Sequence, residues 1–422
     1  MSRILRRVGA ITLSITITVV TFSATVVGGI VASGQPPMSA RPPAAAVGEP
    51  ETTDSDGKIV VAVVLGNSGS DAADFLAPYE VLASSPDFVV YTVADSTEPA
   101  SLDGGIWVRP DYAFSDVSNG IAPAPDLVVV PAVNLPAEPE EQSARDFITD
   151  SFAGGSHILG ICAGSRLLAA SGILDGLTAT SHWSRISALQ ESNPEVMWVR
   201  GERYVQDDRV TTTGGVTSSI AGTLRVLADM AGDAEAIRVG EEIAYPGWSL
   251  DASPAMPANS FGMSDASVLI NTAFPWVRPT VDIELSDGVD EIDAAALFEV
   301  YTYSQAALTR AVSETGVVHT RHGLMLLTEI GGGAHVLKAG SLTSRSGFGG
   351  FDAAFEQLAR TVSPSVVLSV SKMLEYPLDR VARDIAPDAQ QWRSPALLAL
   401  AAVVAGALGA LPVVVRRVRR RT

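Results

Sequence analysis

The chain has 422 residues, 47% of them hydrophobic, and a formal net charge of −18. This length exceeds the size at which single cores stop growing, so two domains are expected. An acidic chain repels nucleic acid, and the central part shows no basic patch or helix-turn-helix signature. Composition therefore argues against nucleic-acid partners and against a DNA-binding regulator.

The first residues form an apolar stretch that follows Arg3, Arg6 and Arg7 without interruption. Residues 1–33 predict a transmembrane helix or signal anchor, since the stretch can span a bilayer and exceeds the usual cleavable apolar region. A long signal peptide, cut near residues 31–34, is the alternative. Residues 34–57 are rich in Pro, Ala and acidic residues, which predicts a disordered tether.

A second apolar stretch lies near the other end of the chain. Residues 395–415 predict a C-terminal transmembrane helix, and residues 416–422 are a basic tail. Basic residues are retained on the cytoplasmic side, so both ends are expected inside the cell. The sequence thus predicts a cell-membrane protein whose main domains are extracytoplasmic.

Short apolar runs alternate with helical patterns over residues 58–240. The first run begins after Lys58, and the last helix is predicted from Val216 to about Ala231. Buried strands that alternate with helices predict an α/β domain with a doubly wound, mostly parallel, flavodoxin-like sheet. Residues 241–276 are irregular and are interpreted as a linker.

Residues 277–385 echo the first domain. An alignment of the two places Asp293 on Asp74 and Glu299 on Glu80. One such match indicates an internal repeat, although no counterpart of the segment around Cys162 is present. These residues are therefore interpreted as a degenerate, partial second α/β copy without a nucleophile.

Cys162 is the only cysteine, so the chain cannot form an internal disulfide. It lies between Gly160 and Gly164, where an apolar strand runs into an amphipathic helix. This pattern predicts a nucleophile elbow, in which small flanking residues permit a tight turn. Amides at the start of the helix favour thiolate over thiol. A buried structural cysteine is the alternative.

Four segments of the first domain resemble the ThiJ/PfpI superfamily, which has the class I glutamine-amidotransferase-like fold. The similarity is strongest to its isonitrile-hydratase and amidase-like sensor branch. The long segment that contains Cys162 is the specific one. The matching segments are residues 74–82, 125–132, 160–183 and 212–227.

The resemblance implies catalytic roles for Cys162, Asp74 and His182. A carboxyl group at Asp74 would bond the sulfur, and His182 would lie beside it. A carboxyl next to a thiolate is expected to hold a proton, and an imidazole can shuttle one at neutral pH. The alternatives are that Asp74 is only a helix N-cap and that His182 is a packed loop histidine.

Negative charge on the substrate would be stabilised by the amides of Ala163, Ala132 and Val133. The chain departs from the family here, since Ala132, Val133 and Asn134 replace the usual Gly-Gly pair. Ala163 also replaces the histidine that follows the cysteine in protease-like members. Glutaminase activity is not expected, because no histidine occurs between His182 and residue 319.

These features together predict a membrane-anchored cysteine hydrolase or hydratase that acts on a small electrophilic substrate. No metal and no organic cofactor is implied. The alternative is a non-catalytic domain that senses a ligand or oxidation, or acts as a scaffold. Dimers are common in the superfamily, so we expect either a dimer or an internal pseudo-dimer formed with the second copy.

Overall fold

The structure is a computed structural model. It describes residues 2–33, 55, 57–245, 248–333, 336–339, 349–377, 402–407 and 410. The helices are α1 Ser2–Ser33, α2 Ala72–Ala83, α3 Phe114–Ser118, α4 Gln142–Gly154, α5 Ser165–Ala170, α6 Ile186–Ser192, α7 Val216–Ala231, α8 Asp233–Glu242, α9 Ala266–Ala273, α10 Glu291–Ser304, α11 Gly349–Ala359 and α12 Pro364–Met373.

The strands of the first domain are β1 Ile59–Val64, β2 Phe88–Ala94, β3 Ala100–Leu102, β4 Ile106–Val108, β5 Tyr112–Ala113, β6 Leu127–Val130, β7 His157–Gly160, β8 Thr178–Ala179, β9 Met197–Trp198, β10 Tyr204–Asp207 and β11 Val210–Thr213. Those of the second region are β12 Thr280–Glu284, β13 Leu308–Ser313, β14 Val317–His319, β15 Met325–Leu327, β16 Glu329–Ile330 and β17 Val336–Lys338.

The first domain is built on a seven-stranded sheet in the order β10-β11-β7-β6-β1-β2-β5. Only the β10–β11 pair is antiparallel. Side chains alternate along β1, so Val61 and Val63 pack with α2 and α7 while Ala62 and Val64 pack with α4 and α5. Both faces are covered, as the wholly apolar β1 sequence predicts. The predicted α/β class and mostly parallel sheet are confirmed.

The second region is also α/β. Its sheet has the order β16-β13-β12-β17, and all neighbouring pairs are parallel. As β1 lies between β2 and β6, so β12 lies between β13 and β17. The segment interpreted as a linker, residues 241–276, contains the end of α8 and all of α9. The predicted end of this region, residue 385, lies outside the described residues.

Two buried glutamates cross-link the domain and the second region. A side-chain oxygen of Glu80 accepts a hydrogen bond from the Ile292 amide at the start of α10, at 2.6 Å. In return, Glu299 accepts from the Ala73 amide at the start of α2, at 3.1 Å. The alignment that matches Glu80 with Glu299 also matches Ala73 with Ile292, so each of the two hydrogen bonds is the counterpart of the other. Each region thus caps a helix of the other.

The two regions also share a four-stranded antiparallel sheet, in the order β14-β15-β4-β3. Each region contributes one hairpin, and the hairpins join where Leu326 pairs with Val108 and Leu327 with Trp107. One continuous hydrophobic core runs from α2 and α7 to α10 and α12. The second region is consequently packed as part of one body with the first domain.

Within the described residues, one helix is long and apolar enough to cross a membrane, from Thr12 to Ser33. Its end contacts α9 and the segment after it: the Ser33 hydroxyl donates to the Thr272 carbonyl at 2.6 Å, and Arg278 donates to that hydroxyl at 2.7 Å. The second predicted span, 395–415, is described only at 402–407 and 410. The tail 416–422, and the tether 34–57 except for residues 55 and 57, lie outside the described residues.

Candidate active site

Cys162 occupies a strained turn between β7 and α5. Its φ angle of 53° lies in the left-handed region, which side chains other than glycine rarely adopt. The flanking glycines are required by close packing. A Cβ atom at Gly164 would lie 2.1 Å from the Val130 carbonyl oxygen, and one at Gly160 would lie 2.6 Å from Leu168. The structure therefore has the elbow geometry that the glycine spacing predicts.

The elbow faces a small pocket of about 290 Å³. Most of the side chains around it are polar, and two come from the second region. The lining residues are Asp71, Asp103, Ala132, Val133, Asn134, Cys162, Ala163, Arg166, His182, Ser184, Arg185, Tyr303 and Met373. The structure thus brings Cys162, His182 and the three predicted backbone positions to one cavity, while Asp74 lies behind this surface.

The Cys162 side chain is 2% exposed. Burial raises the pKa of the Cys162 thiol well above its ordinary value. The Ala163 amide lowers this pKa, as expected for a helix start, but burial outweighs it. The resting group is therefore a thiol, because burial has a larger effect on its pKa than the helix amides that favour a thiolate.

Asp74 is fully buried in the first turn of α2. The N-cap of α2 is Asp71, whose carboxylate accepts from the Asp74 amide at 3.1 Å, so the interpretation of Asp74 as the cap is wrong. Burial and then the charge of Asp71 raise the pKa of Asp74 well above normal, and the neighbouring Cys162 side chain lowers it by less. Asp74 is consequently a protonated carboxyl beside the thiol.

The two oxygens of Asp74 differ in their partners. Oδ2 accepts from the Ala132 amide at 3.3 Å. Oδ1 is buried and has no geometric hydrogen-bond partner in the described part of the chain. The Ala132 amide, predicted to stabilise negative charge on the substrate, is therefore already bonded to the carboxyl. Ala163 and Val133 remain at the pocket surface.

His182 lies on the loop after β8 and is 4% exposed. Its Nε2 donates to the Met373 carbonyl at 2.8 Å, because a carbonyl can only accept. Nδ1 lies 2.7 Å from the Ser184 hydroxyl, which donates to it in the neutral ring. Burial lowers the pKa of His182 to about 4. Both ring nitrogens are engaged, so in this conformation His182 is neutral and has no free nitrogen for the thiol.

The second region contributes groups that the sequence did not indicate. The Tyr303 hydroxyl donates to Asp71 at 3.3 Å, and Met373 supplies the carbonyl that holds His182. Glu375 accepts from the Ser218 hydroxyl at 2.5 Å, and burial raises its pKa to about 7. These residues are 140 or more positions from Cys162 in the chain, and only the partial repeat hinted that the regions would meet.

A family model for the DJ-1/PfpI family matches residues 60–229. Residues 60–229 are a DJ-1/PfpI family domain. This domain is similar to isonitrile hydratase of Pseudomonas putida, with 28% identity over 226 residues, which cover 53% of this chain and 92% of that enzyme. It is also similar to the HTH-type transcriptional regulator CdhR of Pseudomonas aeruginosa, with 31% identity over 34% of this chain and 41% of the regulator.

Solved structures with the DJ-1/PfpI fold also match. Drosophila melanogaster DJ-1beta is 21% identical, with a TM-score of 0.39, and the match covers 44% of this chain and 97% of that one. A ThiJ/PfpI family protein from Pseudomonas syringae is 24% identical, with a TM-score of 0.40, over 52% of this chain and 89% of that one. The family resemblance expected from the segment around Cys162 is confirmed by the family match.

Proposed function

We propose that the DJ-1/PfpI domain is a cysteine-dependent hydratase or hydrolase that acts on a small electrophilic substrate. One observation carries this proposal: Cys162 is held in a left-handed turn at a 290 Å³ pocket, next to the protonated carboxyl of Asp74. Strained backbone of this kind persists where the surrounding structure enforces it, and such sites are commonly functional. The similarity to isonitrile hydratase supports hydration of an electrophilic carbon.

The Cys162 thiol and the Asp74 carboxyl both hold a proton, which suits a reaction that starts from a neutral thiol. Asp74 gives its proton to the substrate while the Cys162 sulfur bonds to the electrophilic carbon, and the thiol proton passes to Asp74. Water then adds to the same carbon, and the carbon–sulfur bond breaks to release product and thiol. The net change is the addition of one water molecule. The Ala163 amide stabilises charge near the sulfur.

His182 has a positioning role in this scheme. Its bonds to Met373 and Ser184 tie the loop after β8 to the second region, at the edge of the pocket. A pKa of about 4 keeps the ring neutral through the physiological range, so it adds no positive charge beside the thiol. Proton transfer is therefore assigned to Asp74 and not to His182.

The test uses the full chain in detergent and a panel of small isonitriles and nitriles. In ¹⁸O-labelled water, product should carry one heavy oxygen, and intact mass should reveal an adduct on Cys162. Cys162→Ala should abolish turnover, and Asp74→Asn should lower it by about a hundredfold or more, the scale of general acid–base catalysis. Arg360→Gln, just after the end of α11 and outside the pocket, is the control. Turnover that persists in Cys162→Ala would refute the proposal.

A ligand-binding or redox-sensing domain is the second candidate. It is favoured by the buried thiol with its raised pKa and by the two engaged nitrogens of His182. The similarity to the regulator CdhR points the same way, although the match covers less than half of that protein. Saturable binding without an adduct or product in the same panel would favour this candidate.

We also propose that the chain is anchored in the cell membrane by α1, with the domain on the extracytoplasmic side. The contacts of Ser33 with Thr272 and Arg278 make the end of α1 part of the folded body, which favours a retained anchor over a removed signal peptide. The mature protein should then keep residues 1–33 in the membrane fraction. N-terminal sequencing that begins near residue 34 would refute this.

The second region, in our proposal, is a degenerate copy that acts as an internal partner. The reciprocal bonds of Glu80 and Glu299 and the pairing of β4 with β15 have the symmetry expected between two related units. Since Tyr303 and Met373 line the Cys162 pocket, the site is incomplete without this region. The chain should therefore be active as a monomer, which sedimentation of the active species would test.

A further inference from the structure

Two arginines line the pocket beside Cys162. Arg166 lies in the first turn of α5, four residues after the cysteine, and is half-buried. Arg185 follows the loop that carries His182 and is exposed at the rim. Arginine is suited to recognition of carboxylates, because its planar group donates two parallel hydrogen bonds. Both side chains are thus placed where they can meet a bound molecule.

Neither guanidinium has a protein partner in the described part of the chain, either by hydrogen bond or by ion pair. Three other arginines differ: Arg145 donates to backbone carbonyls, Arg209 donates to two more, and Arg310 pairs with Asp282. Arg166 instead faces the like charge of Arg185, which, after burial, lowers its pKa. An unpaired and partly desolvated cation is unfavourable, and an anion between the two would relieve this.

The acids of the same pocket do not neutralise the arginines. Asp71 is occupied by the Asp74 amide and the Tyr303 hydroxyl. Burial raises the pKa of Asp71, and it raises that of Asp103 to about 7. Neither carboxyl forms an ion pair with Arg166 or Arg185 in the described residues. The positive charge on this wall of the pocket is consequently available to a ligand.

We propose that the Cys162 pocket selects small substrates that carry a carboxylate, held by Arg166 and Arg185 with the electrophilic carbon at the sulfur. The volume of about 290 Å³ limits the substrate to a few heavy atoms beyond these two groups. This inference rests on the proposed function, since it names the substrate class for the same cysteine. The proposal also predicts that the pocket binds neutral isosteres of the substrate more weakly than the carboxylate.

The test compares iodoacetate with iodoacetamide on the full chain in detergent. Both reagents alkylate the Cys162 sulfur through their CH₂ carbon, giving a carboxymethyl or a carbamoylmethyl thioether, with loss of iodide and release of the thiol proton to buffer. Iodoacetate carries a charged carboxylate where iodoacetamide carries a neutral carboxamide. The rate constant for iodoacetate is divided by that for iodoacetamide, and this ratio is normalised by the same ratio for the chain unfolded in urea. The normalised ratio should exceed about ten, the scale of one charge-assisted contact. A normalised ratio of one overturns the proposal.

Variants identify the source of this preference. Arg166→Gln and Arg185→Gln should each bring the normalised ratio towards one, mainly by slowing iodoacetate. Arg360→Gln removes an exposed arginine just after α11, outside the pocket, and should leave the ratio unchanged. An equal loss in all three variants would attribute the preference to overall charge and overturn the assignment to this site.

A thiol that resists both reagents would count against the proposed nucleophile but leaves the anion site testable. Acetate and acetamide binding to the Cys162→Ala variant is then compared by saturation-transfer NMR. Acetate should bind about tenfold more tightly, and Arg166→Gln in the same background should remove the difference. Equal binding of the two molecules would overturn the anion site independently of any reactivity.

Discussion

The first domain and the second region use the same architecture at their interface but differ at the ligand side. Glu80 and Glu299 occupy matching positions, are both buried, and cap each other's helices. Only the first domain has an elbow with a cysteine, and it supplies most of the residues that line the Cys162 pocket, whereas the second region supplies Tyr303 and Met373. The comparison indicates that the buried glutamates of the interface are present in both regions although the second region has no cysteine.

The largest expected effects concern the two glutamates. Glu80→Ala and Glu299→Ala should each lower the free energy of unfolding by about 2–3 kcal/mol, since each leaves a buried helix amide unpaired. Urea denaturation followed by fluorescence measures both. Glu299→Ala should in addition change the alkylation rate of Cys162, because Ala73 adjoins Asp74, whereas Glu80→Ala should not. Equal effects of both variants on alkylation would contradict the functional asymmetry.

The next prediction concerns pH and Glu375, in the segment that reaches from the second region to the first domain. Burial raises its pKa from 4.5 to about 7, so its contribution to stability is complete below pH 4.5 and is lost as pH rises through 7. Glu375→Gln should reduce the loss of stability between pH 5 and 7.5 by roughly 1–3 kcal/mol.

Glu356→Gln, at an exposed position on α11, is the control for Glu375→Gln. The contribution of His182 to stability depends on pH in the opposite direction, since its pKa of about 4 lies below the unfolded value of 6.5. Its contribution is present above pH 6.5 and is lost as pH falls towards 4. Identical pH slopes in wild type and Glu375→Gln would show that Glu375 does not titrate as its burial requires.

The smallest expected effects come from two interface tyrosines. The hydroxyls of Tyr303 and Tyr79 each donate one bond of 3.3 Å between the regions. Tyr303→Phe and Tyr79→Phe should each cost about 0.5–1.5 kcal/mol of stability in urea denaturation. Only Tyr303 faces the pocket, so only its variant should alter Cys162 alkylation. A change of similar size in Tyr79→Phe would mean that alkylation reports stability and not the site.

The elements of the first domain follow from local sequence patterns. The apolar run of β1, the glycines around Cys162 and the helix from Val216 to Ala231 are each specified by neighbouring residues, and the structure agrees with them. The electrostatics of the site were not predictable in this way. The thiol pKa depends on burial, and the partners of His182 include a backbone carbonyl from residue 373, which no side-chain pattern encodes.

The second region was recognisable only through the alignment of Glu80 with Glu299 and of Asp74 with Asp293. That match could not show that the two glutamates exchange hydrogen bonds, because a sequence repeat does not give the relative orientation of its two copies. Asp74 was also ambiguous, since an acidic residue at a helix start can cap or react. The presence of Asp71 three residues earlier, visible in the sequence, is the signal that decides it.

The exchange of helix caps has a consequence for how the protein is made. A ribosome completes the first domain long before residue 299 has been synthesised, so the Ala73 amide of α2 lacks its partner until then. The pocket, too, lacks Tyr303 and Met373 at that stage. The lining of the Cys162 pocket is therefore complete only after residue 373 has been synthesised, more than 200 residues after the cysteine itself.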